Sequence, residues 1–170
     1  MARTSLRLRP PRPDDESVVR AAHAALLAED FQFALRLEPD TPFEQWIVRL
    51  DAHRCGRDLG EWVPGTFLLA DVDGTVVGRV SVRHQLNEWL ASEGGHIGYG
   101  VLQEHRRRGY ATEILRQSLV VARAVGVDRV LVTCDDRNVG SAAVIEANGG
   151  LRDAERPLAG EAPMRRYWIE

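Results

Sequence analysis

The residues of this chain with the clearest chemical potential lie together in the segment His105-Arg106-Arg107-Arg108-Gly109-Tyr110-Ala111-Thr112. Arginine supplies a fixed positive charge and a forked donor that matches phosphate oxygens. Gly109 can adopt backbone angles that other residues avoid, which lets a ligand come close to the main chain. If a helix begins here, its first amides lack acceptors within the helix and favour an anion. The segment therefore predicts a phosphate site.

The segments on either side fit this prediction. Residues 96–101 have the pattern of a strand, although the two glycines within it indicate a bulge or the close approach of a ligand. Residues from Thr112 to about Val125 have the apolar spacing of a helix that ends at Gly126. The mostly apolar residues 129–134 then predict a buried strand. A strand, a basic turn and a helix are the elements that a phosphate site of this kind needs.

The rest of the chain alternates between strand and helix patterns. Further strands are predicted at residues 6–9, 66–70, 75–82, 151–155 and 165–169, with a tight turn at residues 71–74 that makes a hairpin. Further helices are predicted to start at Asp14 or Asp15, at Thr41–Pro42 and at Asn138 or Ser141. A helical turn is also compatible with residues 86–90. This order predicts one mixed α/β domain over residues 1–170.

Composition narrows the classes of function. The chain has 170 residues and a net charge of −3, which gives no general attraction to nucleic acid or to an anionic membrane. No apolar run is long enough to cross a membrane, and the start of the chain lacks the apolar core of a secretory signal. The two cysteines, Cys55 and Cys134, predict a reduced, cytoplasmic location and no disulfide framework. His53-x-Cys55 offers too few ligands for a zinc site, so no metal is predicted.

One motif is Arg106-x-x-Gly109-x-Ala111, with Val101 five residues upstream. A second motif runs from Asn138-x-x-Ser141 to Glu146-x-Asn148-Gly149. In this order of elements the two motifs resemble the GNAT superfamily of N-acetyltransferases. One bacterial subgroup of predicted acetyltransferases is resembled by the run Gly94-Gly95-His96-Ile97-Gly98-Tyr99 and the closing Arg166-Tyr167-Trp168-Ile169. The resemblance spans nearly the whole chain. It implies a GNAT-like fold with a splayed central mixed β-sheet flanked by helices.

The resemblance also implies a co-substrate and its binding residues. Main-chain groups of Val101 and Leu102 would meet the pantetheine arm and the acetyl carbonyl of acetyl-CoA. The amides of Arg106, Arg107, Arg108, Gly109, Tyr110, Ala111 and Thr112 would hold the pyrophosphate, and Asn138 and Ser141 would border the coenzyme from the second motif. The implied reaction is direct attack by an amine on the thioester in a ternary complex.

The proton-transfer groups are less clear from the sequence. Glu93 and His96 lie where the family often places a glutamate base, and His96 has the ordinary pKa nearer to neutrality. A histidine at the start of a strand can equally be structural. Many relatives carry a tyrosine acid at the position of Ile145. Here either another group serves, with Tyr110 and Tyr167 as candidates, or the thiolate leaves without direct protonation, and the sequence assigns no acid.

The acceptor is not specified by the sequence beyond an amine on a small molecule or a peptide. Four acidic residues between the first two helices, Glu29, Asp30, Glu38 and Asp40, favour a cationic amine such as a lysine, a polyamine or an aminoglycoside. A solvated loop explains the same residues without function. A non-catalytic acyl-CoA-binding module is the alternative function, and O-acetyl transfer or a longer acyl donor is a further option. A homodimer is compatible with the resemblance.

Overall fold

The strands and helices of this computed structural model follow one another in the predicted order, and the structure describes residues 5–153 and 163–170. The strands are β1 (Leu6–Arg9), β2 (Gly65–Val72), β3 (Thr75–Arg83), β4 (Ile97–Val101), β5 (Val130–Asp135), β6 (Leu151–Arg152) and β7 (Met164–Ile169). The helices are α1 (Glu16–Leu27), α2 (Phe43–Arg54), α3 (Tyr110–Ala124) and α4 (Val139–Ala147). Short helical turns lie at Pro13–Asp15, Leu90–Gly94 and Gln103–His105. The predicted mixed α/β class is confirmed.

Two antiparallel sheets form the centre of the fold. The first has the strand order β1-β2-β3-β4, and the second has the order β5-β7-β6. β2 and β3 form the predicted hairpin, whose turn residues Asp73 and Gly74 have φ values of 50° and 86°. Such a turn matches the right-handed twist of the strands that it joins. In place of one continuous sheet, the hydrogen bonds define two sheets with a gap between them.

β4 and β5 are the neighbouring edges of the two sheets, and they meet where both strands begin. The amide of His96 donates to the carbonyl of Leu131 (2.7 Å), and the amide of Leu131 donates to His96 Nδ1 (2.9 Å). Beyond this point no hydrogen-bonded ladder joins the two strands in the described part of the chain. The strands therefore separate toward their carboxyl ends, and a wedge-shaped gap opens there.

The helices bury two apolar clusters against these sheets. α3 and α4 share one cluster with the strands, and its members include Val80, Ile114, Leu115, Val132 and Ile145. α1 and α2 cover the other cluster, which includes Val19, Phe33, Trp46, Phe67 and Leu69. Because both faces of the first sheet are covered, residues 65–71 of β2 are buried in succession rather than alternately. The long apolar runs of β2 and β3 follow from this layering.

A buried ion-pair cluster holds the start of α1 to the first sheet. Arg9 Nε donates to Asp71 (2.8 Å), and its terminal nitrogens donate to both oxygens of Asp15 (2.7 and 2.9 Å). Asp15 also accepts from the amide of Arg12 (2.7 Å). Asp14 and Asp15 were the predicted caps of α1. Asp15 takes the N-cap position, but its side chain makes no capping hydrogen bond, because its carboxylate is bonded to Arg9. We call Arg9, Asp15 and Asp71 together the Arg9 cluster.

Several boundaries differ slightly from the sequence predictions. α2 begins at Phe43, after Pro42, and the helical turn expected near residues 86–90 lies at Leu90–Gly94. β6 stops at Arg152, and the predicted end of this strand, Glu155, lies outside the described residues. In the portion of the chain that the structure covers, no helix has both the length and the apolar character to span a membrane.

Candidate active site

The loop between β4 and α3 exposes a row of main-chain amides. After the turn at Gln103–His105, Arg107 and Gly109 adopt left-handed conformations with φ values of 60° and 79°. Within residues 5–153 and 163–170, the amides of residues 107–112 have no protein acceptor. Amides in such a loop form a concave anion site, and the N-terminus of α3 adds its dipole. The loop can therefore bind a phosphate or diphosphate group.

Gly109 is suited to this loop by both its conformation and its lack of a side chain. Its φ of 79° lies in the left-handed region, and it directly precedes α3. A Cβ atom at Gly109 would meet no protein atom within 4 Å. A side chain would therefore occupy open space beside the exposed amides. Because the glycine ends the loop, α3 begins at Tyr110, two residues before the predicted start at Thr112.

A cavity of about 550 Å³ lies beside these amides, between the carboxyl end of β4 and the start of α4. Leu26, Glu29 and Phe31 border it from the end of α1 and the segment after it. Nine predicted coenzyme residues line the cavity: Val101, Arg106, Arg107, Gly109, Tyr110, Ala111, Thr112, Asn138 and Ser141. Leu102 and Arg108 are not among the lining residues. The wedge between the sheets thus brings both sequence motifs to one cavity.

The last residues of β4 present main-chain groups to this cavity. The amide of Leu102 donates to Val77 of β3 (2.9 Å), and its carbonyl accepts from the amide of His105 (2.9 Å). Because main-chain groups alternate between the two sides of a strand, the amides of Tyr99 and Val101 point away from β3. Val101 can therefore offer its amide to a ligand, whereas the amide and the carbonyl of Leu102 are already bonded within the protein. The assignment of Leu102 as a coenzyme residue stays a prediction.

The three consecutive arginines have different roles in the loop. Arg106 Nε donates to the carbonyl of Val101 (3.1 Å), and its Nη2 donates to Glu29 (2.8 Å). The amide of Arg106 is also bonded within the loop. Arg106 thus fastens the loop to β4 and to the segment that follows α1. Arg107 lines the cavity, and Arg108 is exposed outside it. Arg107 is the guanidinium of this run that is best placed to meet an anion.

The start of α4 forms the opposite wall of the cavity. Asn138 and Ser141 were the alternative caps of this helix, and Asn138 is the one observed: its Oδ1 accepts from the amide of Ser141 (2.9 Å). The amide of Gly140 has no acceptor in the described part of the chain. Asn138, Gly140 and Ser141 all line the cavity. This wall adds polar groups opposite the amides of the first motif.

Phe31 covers β4 at the position of Gly100. A Cβ atom at Gly100 would lie 2.6 Å from the Phe31 ring. The guanidinium of Arg79 lies 4.4 Å from the centroid of the same ring and donates to the carbonyls of Gly98 (2.9 Å) and Gln32 (2.6 Å). The register between β3 and β4 is continuous, so there is no bulge in β4. The glycine at position 100 makes room for Phe31.

Tyr99 is a cavity residue that the sequence analysis missed. Its hydroxyl lies 2.8 Å from Ser141 Oγ, so the pair bridges β4 and α4 across the gap. Both residues line the cavity. Burial raises the pKa of Tyr99 to about 12, and the phenol therefore keeps its proton at neutral pH. The signal in the sequence was its place two residues before Val101, on the same side of the strand.

The other candidates for a proton donor lie elsewhere. Tyr110 lines the cavity at the start of α3, beside the exposed amides. Tyr167 is buried, and its hydroxyl donates to Glu146 (2.9 Å) away from the cavity. Ile145, at the position where relatives carry a tyrosine, is fully buried in the core. Cys134 is also buried, and this burial raises the pKa of its thiol. Its surroundings fit a core residue.

Neither candidate base lines the cavity. Glu93 is exposed in the turn before β4, and its carbonyl accepts from the hydroxyl of Thr133. His96 is buried, and its Nδ1 accepts from the amide of Leu131 (2.9 Å) at the point where the two sheets meet. Burial and the nearby charge of Arg83 lower the pKa of His96. His96 therefore has a visible structural role, and the assignment of either residue as the base remains a prediction.

Protonation of His96 is expected to weaken the junction between the sheets. A protonated ring cannot accept the Leu131 amide, and the lowered pKa means that the unfolded chain binds protons more readily than the folded one. The contribution of His96 to stability is thus present above about pH 6.5 and is lost as the pH falls below it. In urea denaturation between about pH 7.5 and 5.5, His96→Asn should lose less stability than the wild type, because the asparagine oxygen can accept this amide without titrating. Equal losses in both proteins would contradict the prediction.

The four acidic residues predicted to border the acceptor do not share one cavity. Glu29 lines the cavity beside the exposed amides, Glu38 lines another cavity beside α1, and Asp30 and Asp40 line neither. The charge of Glu29 is paired with Arg106 at 2.8 Å. In the described residues, no three side chains of histidine, cysteine, aspartate or glutamate lie close enough together to hold a metal ion. Glu29 is the one acidic residue among the described residues that line the cavity beside the exposed amides, and Arg106 and Arg107 also line it.

Residues 5–150 match a family model described as an acetyltransferase (GNAT) domain. No curated protein sequence matches the chain at a significant level. Many solved structures share its fold at low sequence identity.

One of these is YncA from Salmonella typhimurium, a putative acetyltransferase solved with its cofactor acetyl-CoA; the identity is 15%, the TM-score is 0.65, and 98% of this chain and 94% of that chain are covered. RimJ from Mycobacterium smegmatis, in complex with CoA-disulfide, is 21% identical, with a TM-score of 0.67; the match covers 96% of this chain and 81% of RimJ. Spermidine N-acetyltransferase from Vibrio cholerae, in complex with CoA and spermine, is 14% identical, with a TM-score of 0.65; the match covers 98% of this chain and 96% of that chain. With the family model matching most of its length and its fold shared with these proteins, the chain belongs to the GNAT acetyltransferase family.

Proposed function

We propose that this protein transfers the acetyl group of acetyl-CoA to an amine, by direct attack of the amine on the thioester in a ternary complex. The observation that carries the proposal is the set of unpartnered amides at residues 107–112, which open onto a cavity of about 550 Å³. Unsatisfied donors at a helix N-terminus favour a bound anion. A coenzyme diphosphate supplies such an anion on a long ligand.

Different residues would bind the diphosphate, hold the loop in place and orient the pantetheine arm. The amides of residues 107–112 and Arg107 would bind the diphosphate, while Arg106 keeps the loop in place. The main-chain amide of Val101 would orient the pantetheine arm, and a main-chain amide of β4 can donate to a polarised carbonyl. Acetyl-CoA supplies the activated acyl group. Holding the two substrates in one geometry is the main contribution of the protein to such a reaction.

The acceptor is proposed as an amine on a small molecule or a peptide. One structural neighbour is a spermidine N-acetyltransferase bound to spermine, and another, a self-immunity acetyltransferase, was solved with acetyl-CoA and AMP. The pairing of Glu29 with Arg106 leaves little uncompensated acidic charge at the cavity to select a cation. A screen of acceptors should therefore include neutral amines and peptide amines as well as polyamines and aminoglycosides. A cytoplasmic location and a homodimer also stay proposals.

A non-catalytic acyl-CoA-binding module is the second candidate. It is favoured by the placement of Glu93 and His96 away from the cavity lining and by the burial of Ile145. Both candidates require the coenzyme to bind. They differ in whether thiol is released when an amine is supplied.

The two functions can be separated in two steps. Acetyl-CoA at about 100 times its dissociation constant should stabilise the protein by about 2.7 kcal/mol, seen as a rise in Tm. Free thiol is then followed with acetyl-CoA against amino acids, peptides, polyamines and aminoglycosides. Thiol release with one class supports the transferase, and binding without release from any class supports the binding module. Absence of any rise in Tm would contradict both.

A further inference from the structure

Transfer of an acetyl group from a thioester creates a thiolate, so a nearby hydroxyl donor can assist its departure. We propose that Tyr99, supported by Ser141, donates the proton to the departing sulfur of acetyl-CoA. The inference rests on the proposed function, because it concerns the same cavity. It assigns a role to a residue of β4 that neither sequence motif contains.

The position of Tyr99 suits this role. Val101 ends β4 beside the loop that carries the exposed amides, and Tyr99 lies two residues farther from the loop, at about 3.3 Å per residue. Its hydroxyl reaches across the gap to Ser141 on α4 (2.8 Å). A coenzyme whose diphosphate binds the loop would direct its thioester end along β4, toward this part of the cavity. Tyr110 lies instead beside the amides, and Tyr167 lies outside the cavity.

The surroundings keep the hydroxyl pair protonated and uncharged. Burial raises the pKa of Tyr99 to about 12. The titratable neighbour that faces it from β5 is Cys134, and burial raises the pKa of that thiol as well. Ser141 is fixed by its place in the first turn of α4, where its amide is bonded to Asn138. A sulfur anion formed here would therefore be the strongest hydrogen-bond acceptor near the phenol.

The proton balance of the step is simple. As the carbon–sulfur bond breaks, its electron pair stays on the sulfur, and the phenolic proton of Tyr99 passes to that sulfur. Ser141 Oγ donates a hydrogen bond to the phenolate oxygen, which limits the cost of the charge. The acceptor amine gives up one proton to solvent. The phenolate regains one from solvent after the product leaves, so no other reactant is needed.

The first test uses free CoA and needs no acceptor. The ionisation of the bound thiol is followed by the ultraviolet absorbance of the thiolate in the wild type, in Tyr99→Phe and in the control Tyr167→Phe. A donor hydrogen bond stabilises the thiolate, so the pH at which the bound thiol ionises should be higher by about 1 in Tyr99→Phe than in the wild type. Ser141→Ala should show a smaller rise, and Tyr167→Phe should show none. An unchanged midpoint in Tyr99→Phe with CoA bound would overturn this inference alone, whereas failure of the wild type to bind CoA would overturn the proposed function with it.

The second test uses the amine class that releases thiol. Tyr99→Phe should lower kcat about 100-fold, while the KM for acetyl-CoA changes less than about twofold. Tyr167→Phe removes a buried phenol that bonds Glu146 outside the cavity, so its kcat should stay near the wild-type value while its Tm falls. A wild-type kcat in Tyr99→Phe, or a loss of kcat that only follows a loss of Tm, would count against a role in proton donation.

Discussion

Replacing Gly109 by valine should lower the affinity for acetyl-CoA by about 100-fold or more, which corresponds to about 2.7 kcal/mol. Two effects combine at this position. A β-branched residue is strained at a φ of 79°, so the loop would relax and its amides would lose their common direction. The new side chain would also occupy the open space that borders the cavity. Titration calorimetry with acetyl-CoA measures the change directly.

Gly126 offers a matched control at the other end of α3. Its φ is 89°, and a Cβ atom there would also meet nothing within 4 Å, but it lies outside the cavity lining. Gly126→Val should therefore show a similar strain and a lower Tm with an unchanged affinity for acetyl-CoA. If Gly126→Val and Gly109→Val lowered the affinity equally, the loss would reflect general destabilisation. If neither lowered it, the coenzyme would not bind at this loop.

Replacing Arg9 by methionine should reduce the free energy of unfolding by about 3–5 kcal/mol. The substitution leaves two buried carboxylates without their cation: the side chain of Asp71 is 2% exposed and that of Asp15 is 10% exposed. Removing one member of a buried ion-pair cluster costs more than the pair itself contributes, because the remaining charges are uncompensated. Urea denaturation at neutral pH measures the loss, which is a large part of the stability of a typical domain.

Arg7 provides the control on the same strand. Its side chain lies 3.9 Å from Asp71 but is 67% exposed, so Arg7→Met should reduce the free energy of unfolding by about 0–1 kcal/mol.

The difference in free energy of unfolding between the wild type and Arg9→Met should become smaller at acidic pH. Hydrogen bonds from Arg9 lower the pKa of Asp15. Burial acts to raise the pKa of Asp71, but hydrogen bonds from Arg9 and the Gly74 amide lower it overall. The wild type therefore loses this stabilisation as the pH falls below about 4, whereas the variant is relieved when its carboxylates protonate. A gap between the two proteins that is constant with pH would contradict this account.

Much of the fold follows from short-range patterns in the sequence. The Asp73-Gly74 turn and its flanking apolar runs predict the hairpin, and Gly109 and Gly126 mark the two ends of α3. These features depend on neighbours in the chain and on backbone preferences, which the sequence shows directly. The division into two sheets could not be predicted, because it depends on where β4 and β5 meet. The His96–Leu131 contact joins residues 35 positions apart.

The site was predictable to a similar extent. Gly109 and the amides after it were identified from the local sequence and Val101 from the family resemblance, and all of them border one cavity. Arg106 was expected to bind the diphosphate, but the structure pairs its side chain with Glu29, a partner 77 residues away. Tyr99 was missed for the same reason, since its significance depends on Ser141, 42 residues away. Contacts across the gap decide these roles, and a single sequence does not display such contacts.

The gap between the sheets has a consequence for local unfolding. The first sheet and α1–α3 come from residues 5–124, and the second sheet and α4 come from the chain that follows. A coenzyme in the wedge would touch both parts, so separating them would require its release. Saturating acetyl-CoA should therefore slow deuterium uptake at the amides of β5 and β7, although β7 contributes no residue to the cavity lining. Bound coenzyme would therefore link the carboxyl-terminal part of the protein to the rest, and the frequency of local unfolding in that part would fall as the concentration of acetyl-CoA rises.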